Sequence, residues 1–216
     1  MKISLTKAGK RYNRDWIFRN LSYEFESGNS YAITGPNGSG KSTLLQAIGG
    51  ALVLSEGTMS YERRAGSGEL GADNIFRHLS IAAPYLELIE EMTAKEFLKF
   101  HSQFKPLLAT HSINDILQIV GLEKAANKQI RFYSSGMKQR VKLAQAIFSD
   151  VELILLDEPC TNLDAEGIAL YQQLVAEYCT QRLLVVSSND IAEFGFCKEK
   201  INILDYKPGT ISHAGI

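Results

Sequence analysis

The chain has little of what would tie it to a specialised environment. It holds three cysteines among 216 residues. Cys160, Cys179 and Cys197 are too few and too widely spaced for a disulfide scaffold or a CxxC metal site. They read as reduced, packed thiols of a cytoplasmic protein. Long apolar runs are missing as well. The clearest, at 153–156 and 183–186, are strand-length and far below the ~20 residues that span a bilayer. The opening MKISLTKAGKRYNRDW is too polar for the apolar stretch of a signal peptide, so the expectation is a chain that does not itself cross a membrane. Neither sign of charge dominates: 23 basic and 24 acidic residues leave a formal net charge of −1. That balance argues against a protein whose main task is to neutralise nucleic-acid phosphates, and no nucleic-acid partner is expected. There is no internal repeat and no low-complexity tract.

What is present is an ordinary globular composition, 45% apolar and 22% charged. A chain of this size buries roughly 70% of the surface its unfolded form exposes. One domain over 1–216 is expected. The first 35 residues read as β structure, with runs at 3–6, 16–25 and 30–34. A Gly-rich turn at 35–41 leads into a helix at 42–50, closed by Gly49-Gly50. A strand at 58–61 and a loose segment, ERRAGSGELGAD, read as antiparallel strands with a mobile loop between them. From Thr93 the period becomes helical. Thr93-Ala-Lys-Glu96 is a capping-box pattern, and Phe97, Leu98, Phe100, His101 and Phe104 follow at helical spacing. A second short amphipathic helix lies at 113–120, so about 84–133 forms a helical insertion. Helix 135–148, strand 153–156, helix 165–180 and strand 183–186 then resume the β/α alternation. Continuous apolar strands separated by helices predict a parallel sheet covered on both faces. The last stretch, 200–216, reads as a final strand pair.

Gly35-Pro36-Asn37-Gly38-Ser39-Gly40-Lys41-Ser42-Thr43 matches G-x4-G-K-[ST] at every fixed position. Glycines at 38 and 40 let the chain curl so that successive amides point at an anion, and the following helix adds its N-terminal partial charge. Lys41 would reach the β- and γ-phosphates and the Ser42 hydroxyl would ligate Mg²⁺. A strand precedes and a helix follows, as such a loop requires, so ATP with Mg²⁺ is the expected ligand. The fold class that follows is α/β: a P-loop NTPase core with a mostly parallel sheet, an antiparallel β subdomain and an α-helical subdomain. Gly66-Ser-Gly68-Glu-Leu-Gly71 also fits G-x-G-x-x-G, but no buried strand precedes it and no helix is opened by it, so it reads as loop.

The strand at 153–156 runs into Asp157-Glu158-Pro159. Successive strand residues face opposite ways, so the two carboxylates cannot share one job. Asp157 is placed to bind Mg²⁺ beside Ser42, and Glu158 to orient or polarise an attacking water.

Tyr133-Ser134-Ser135-Gly136-Met137-Lys138-Gln139-Arg140 resembles the signature of ATP-binding cassette (ABC) ATPases, usually written LSGGQ-x-QR, and Thr161-Asn162-Leu163-Asp164 looks like that family's D-loop. The order of phosphate loop, helical insertion, signature, acidic strand and D-loop is the family's order and covers nearly the whole chain. The resemblance implies a head-to-tail dimer with a second cassette chain, taken as another copy of this one. Each ATP would lie between one chain's phosphate loop and the other's Ser134, Ser135 and Gly136, with Asp164 nearby. Ser134 would cap its helix and meet the γ-phosphate from outside. Tyr12 aligns with the aromatic that stacks on adenine, and Trp16 is the weaker alternative.

Two positions depart from the family. Asn189 stands where the switch histidine is expected; it still donates a hydrogen bond but never carries charge and has a shorter reach. No glutamine occurs between Gln46 and Gln103, so none fills the glutamine-loop position near Pro84-Tyr85. With Lys41, Ser42, Asp157 and Glu158 all present, slow or partner-regulated hydrolysis is expected rather than ATP acting only as dimer glue. The resemblance implies the ATPase subunit of a transporter, exporter-like, peripheral on the inner face of the cell membrane. The exposed side of 84–104 (Tyr85, Glu87, Glu90, Glu91 and Lys95) would then grip an integral-membrane permease. The alternative is a soluble, non-transport ABC ATPase, for instance an iron–sulfur assembly partner. A phosphate-loop nucleotide kinase would need neither signature nor D-loop.

Overall fold

The computed structural model describes residues 1–63 and 69–208. Two sheets share the molecule. Strands β1 (Lys2–Tyr12), β2 (Asp15–Glu26), β4 (Glu56–Glu62) and β5 (Glu69–Leu70) form an antiparallel sheet in the order β2-β1-β4-β5. Strands β3 (Ser30–Thr34), β6 (Leu79–Ala82), β7 (Leu153–Asp157), β8 (Leu183–Ser187) and β9 (Glu199–Asn202) form a parallel sheet in the order β6-β7-β8-β3-β9. Both expected sheets are therefore present. The first two strands run longer than their apolar cores, because antiparallel pairing from Lys2↔Glu26 to Tyr12↔Asp15 holds their polar ends.

The apolar strands of the parallel sheet feed two cores. Alternate residues point to opposite faces. Ile154, Leu156, Leu184 and Val186 pack with the helical section. Leu153, Leu155, Leu183 and Val185 pack with Leu44, Leu45 and Ile48 of helix α1 (Lys41–Ile48) and with the antiparallel sheet. Burial on both faces explains why β7 and β8 read as unbroken apolar runs. Edge strand β6 carries only four residues, too few for a period to be read from sequence.

The helical section contains α2 (Ala94–His101) and α3 (Ile113–Ile119), each with a capping box, Thr93 with Glu96 and Ser112 with Asp115. Residues 84–92 form no helix but an irregular approach to α2. Helix α2 stops at His101 rather than continuing to Phe104, which stays exposed with its ring 5.1 Å from Phe100. Helix α4 (Ser135–Phe148) spans the predicted residues, and α5 (Ala165–Tyr178) is shorter than its prediction at the C-terminus. Helix α6 (Ile191–Phe194) follows β8. The Gly66 to Gly71 pattern falls partly outside the described residues; of the strand pair predicted over 200–216, β9 covers the start, residues 203–206 form a 3-10 turn instead, and 209–216 lie outside the described residues. The three cysteines are free thiols buried in the fold, with Cys160 and Cys197 pushed up to about 12 and Cys179 to about 11, each mainly by burial.

Candidate active site

The Gly-rich turn sits between β3 and α1, as its sequence requires. Gly35 (φ 145°), Gly38 (φ 74°) and Gly40 (φ 109°) all adopt backbone conformations that side chains disfavour. At Gly40 there is also no space, since a Cβ would lie 2.2 Å from Ile17 Cγ2 of β2. Ile17 is therefore a structural partner of the loop that motif reading alone does not reveal. Pro36, Asn37 and Gly38 form the exposed tip, while Ser39 and Lys41 are buried and Ser42 and Thr43 half-buried. The Lys41 ammonium donates to the carbonyls of Gly35 at 2.9 Å and Pro36 at 3.2 Å, which holds it over the loop with one proton to spare.

Asp157 ends β7 and is 2% exposed. Leu153 and Leu155 face α1, so Asp157, two residues further on, faces it as well. Ser187, its register partner on β8, follows Leu183 and Val185 on that same face. Among the described residues, three buried side-chain atoms lack a hydrogen-bond partner, and they are Asp157 Oδ1, Ser187 Oγ and Ser39 Oγ. Buried polar atoms are almost always paired. Asp157 Oδ1 and Ser187 Oγ, on the α1 side of the sheet, are hard oxygen donors of the kind that would hold Mg²⁺, and Ser39 Oγ lies within the phosphate loop itself.

Glu158 leaves the strand geometry. Its φ is 44°, its amide donates to Ser187 O at 2.9 Å, and its side chain is half-buried. Opposite facing was expected for the two carboxylates; a left-handed residue, rather than strand alternation, sets the second one. Exposed Asn189 donates through Nδ2 to Asn37 Oδ1 at 3.2 Å, so it touches the tip of the phosphate loop. Near the expected glutamine position, the Tyr85 phenol is raised above its usual range by burial first and by the Asp157 charge, against a hydrogen bond with Gln46. Gln46 lies one helical turn beyond Ser42, a spacing that could have drawn attention to it.

The signature residues form a second cluster. Ser134 caps α4, accepting from the Met137 amide at 3.2 Å, and Asp164 caps α5, accepting from Gly167 at 2.8 Å. A Cβ on Gly136 would lie 3.0 Å from Asn162 O, so the signature abuts the D-loop within one chain. Arg140 reaches Asp164 at 3.9 Å. Ser134, Ser135 and Asp164 are exposed. Among the described residues, no hydrogen bond or ion pair links this cluster to the phosphate loop. Tyr12 is 47% exposed. Both candidate aromatics carry cations: the Lys10 ammonium lies 5.2 Å from the Tyr12 ring centre, and the guanidiniums of Arg11 and Arg19 lie 5.5 Å and 4.6 Å from that of Trp16.

A sequence-family model described as ABC transporter matches residues 18–161. The ABC transporter ATP-binding protein YybJ of Bacillus subtilis is 32% identical over 176 residues, covering 81% of this chain and 79% of YybJ. The linearmycin resistance ATP-binding protein LnrL of the same organism is 27% identical, covering 91% of this chain and 64% of LnrL. The chain spans about half, 55%, of a third B. subtilis relative, YxlF, at 36% identity. Among solved structures, the dimeric bacterial ABC transporter cassette MJ0796 superposes with a TM-score of 0.79 at 25% identity, covering 93% of this chain and 94% of that one. An ATP-binding subunit of an ABC transporter superposes with a TM-score of 0.81 at 22% identity, covering 94% and 86%. The chain belongs to the ATP-binding proteins of the ABC transporter family.

Proposed function

We propose that this chain binds and hydrolyses ATP to power a separate membrane permease, through closure and reopening of a dimer of cassettes. The observation that supports the reading most is the set of unpartnered buried oxygens on Asp157 and Ser187, on the α1 side of the sheet, and on Ser39 within the phosphate loop. Gly35 to Thr43 cradle the triphosphate by their backbone amides, Lys41 contributes charge, and Tyr12 stacks on the adenine. Ser42 and Asp157 hold Mg²⁺, which when bound supplies charge neutralisation at the phosphates. Glu158 orients and polarises the attacking water. Ser134, Ser135, Gly136 and Asp164 serve the nucleotide of a second chain. The exposure of these four groups, or their half-burial in the case of Gly136, suits that role.

Asn189 reaches the loop but carries no charge, so turnover is slow or depends on the partner. The face containing Tyr85, Glu87, Glu90, Glu91 and Lys95, with exposed Phe100 and Phe104 beside it, is the proposed dock for the permease, and a chain docked there is peripheral on the cytoplasmic side of a membrane. The described residues include no helix long and apolar enough to cross one. The resistance role in LnrL's name favours an exporter-type assembly. Phosphate release should fall by about 10²–10⁴-fold in Glu158→Gln. Wild-type release no higher than that of Glu158→Gln would overturn hydrolysis as the function. Asn189→His should raise the rate, and an unchanged rate would retire Asn189 as the limiting group.

A further inference from the structure

The turn that carries Glu158 is gripped from two sides by buried side chains that no motif includes together. Glu158 itself holds a left-handed φ of 44°, a conformation that persists in a non-glycine residue only when its surroundings impose it. Its amide is tied to Ser187 O, and its carbonyl accepts from Thr161 N at 3.1 Å. The next carbonyl, that of Pro159, accepts from Gln139 Nε2 of α4 at 2.7 Å, and Gln139 is 3% exposed. The next amide, that of Cys160, donates to Glu193 Oε1 of α6 at 2.7 Å, and Glu193 is 5% exposed.

Glu193 is in turn anchored. Its own carbonyl accepts from the Tyr171 hydroxyl at 2.7 Å, and its amide donates to Asp190 O at 3.0 Å, next to Asn189. A carboxylate so deeply placed is costly unless its bonds are needed. Burial pushes its pKa up, the Ser188 side chain and the Cys160 bond oppose that, and the nearby charges of Asp190 and Glu158 add to the rise.

We propose that Glu193 is a positioning residue for hydrolysis: by accepting from the Cys160 amide while its own amide donates to Asp190 O, it locks the Glu158 turn to the loop that carries Asn189. The proposal rests on the reading of Glu158 as the group that activates water. Gln139 completes the clamp from the signature helix, so the Glu158 backbone is referenced to both neighbouring elements. Loosening it misplaces the Glu158 carboxylate without touching the loop that binds the triphosphate.

The test uses the whole chain, comparing wild type, Glu193→Ala, Glu193→Gln and Glu158→Gln for steady-state phosphate release and for binding of a fluorescent ATP analogue. Glu193→Ala should lower kcat by about tenfold or more, the scale at which small misplacements act, with KM and analogue affinity within about threefold of wild type. Glu193→Gln keeps an acceptor for the Cys160 amide and should recover most of the rate. Should the alanine variant not fold, Glu193→Asp, one methylene shorter, carries the same expectation. Full turnover in Glu193→Ala beside an inactive Glu158→Gln would overturn the proposal alone, as would a glutamine variant no better than alanine, or loss expressed in KM instead of kcat. Full turnover in Glu158→Gln would instead overturn the assignment of Glu158, and the proposal with it.

Discussion

At Gly40 the backbone sits at φ 109° and the Ile17 side chain closes the space where a Cβ would go. Gly40→Ala should therefore cost more than the ~1–2 kcal/mol of a left-handed residue, because Ile17 must also move. Gly38, at φ 74° with open space around it, should show the strain alone when changed to Ala. Urea unfolding of the two variants, with ATP-analogue titration, checks the difference, and equal losses would discount the Ile17 contact. The glycine requirement was legible, since the motif spacing and the amide-cradle argument both demand it. The Ile17 contact was not, because β2 and the loop are joined only through the folded sheet. Glu158 was assigned to the opposite face of a regular strand, yet its place is decided by a positive φ that no local pattern encodes.

At the scale of elements, α2 ends on a histidine that titrates far from its usual range. His101 Nε2 lies 2.8 Å from Ser149 Oγ, whose own proton goes to Gln145 O at 2.6 Å. Burial first, and the Lys105 charge second, lower His101 from 6.5 to about 4. Between pH 6.5 and about 4 the unfolded chain therefore takes up a proton that the folded chain refuses. Stability contributed by the neutral ring is complete above the upper value and is lost as the pH falls through this window. Relative to His101→Gln, the wild type should lose about 1–2 kcal/mol more on going from pH 7 to pH 4.5, after allowing for solvent screening of a partly exposed ring. Denaturation midpoints at the two pH values read this directly, and parallel losses would contradict it. The start of α2 was clear from sequence because Thr93 and Glu96 act within four residues, whereas the capping box of Ser112 with Asp115 at α3 came from the structure. The end of α2 was not, since Phe104 continues the helical spacing while the chain has already turned at Ser102.

For the molecule as a whole, the separation of the phosphate loop from the exposed signature cluster leads to a concentration-dependent expectation. On the proposed role of Glu158, Glu158→Gln keeps ATP binding and slows turnover, so it should shift from monomer to dimer when ATP is added, as followed by light scattering. The addition of Ser134→Arg at the exposed helix cap should abolish that shift while leaving analogue binding by the monomer intact. A dimer that persists in the double variant would place the interface elsewhere. The sequence by itself determined the ligand chemistry and the order of parts. A phosphate cradle, an acidic strand end and a signature are each built from contiguous residues whose geometry follows from local backbone rules. Only the tertiary structure decided which oxygens face the cradle. Alternation along β7 and β8 assigns Asp157 and Ser187 to the α1 side only once two separate cores cover the sheet. It also decided that Glu193 grips Cys160 across 33 residues of chain. Those relations depend on contacts between distant segments, where burial and the need to pair polar groups select the partner and no local period can announce it.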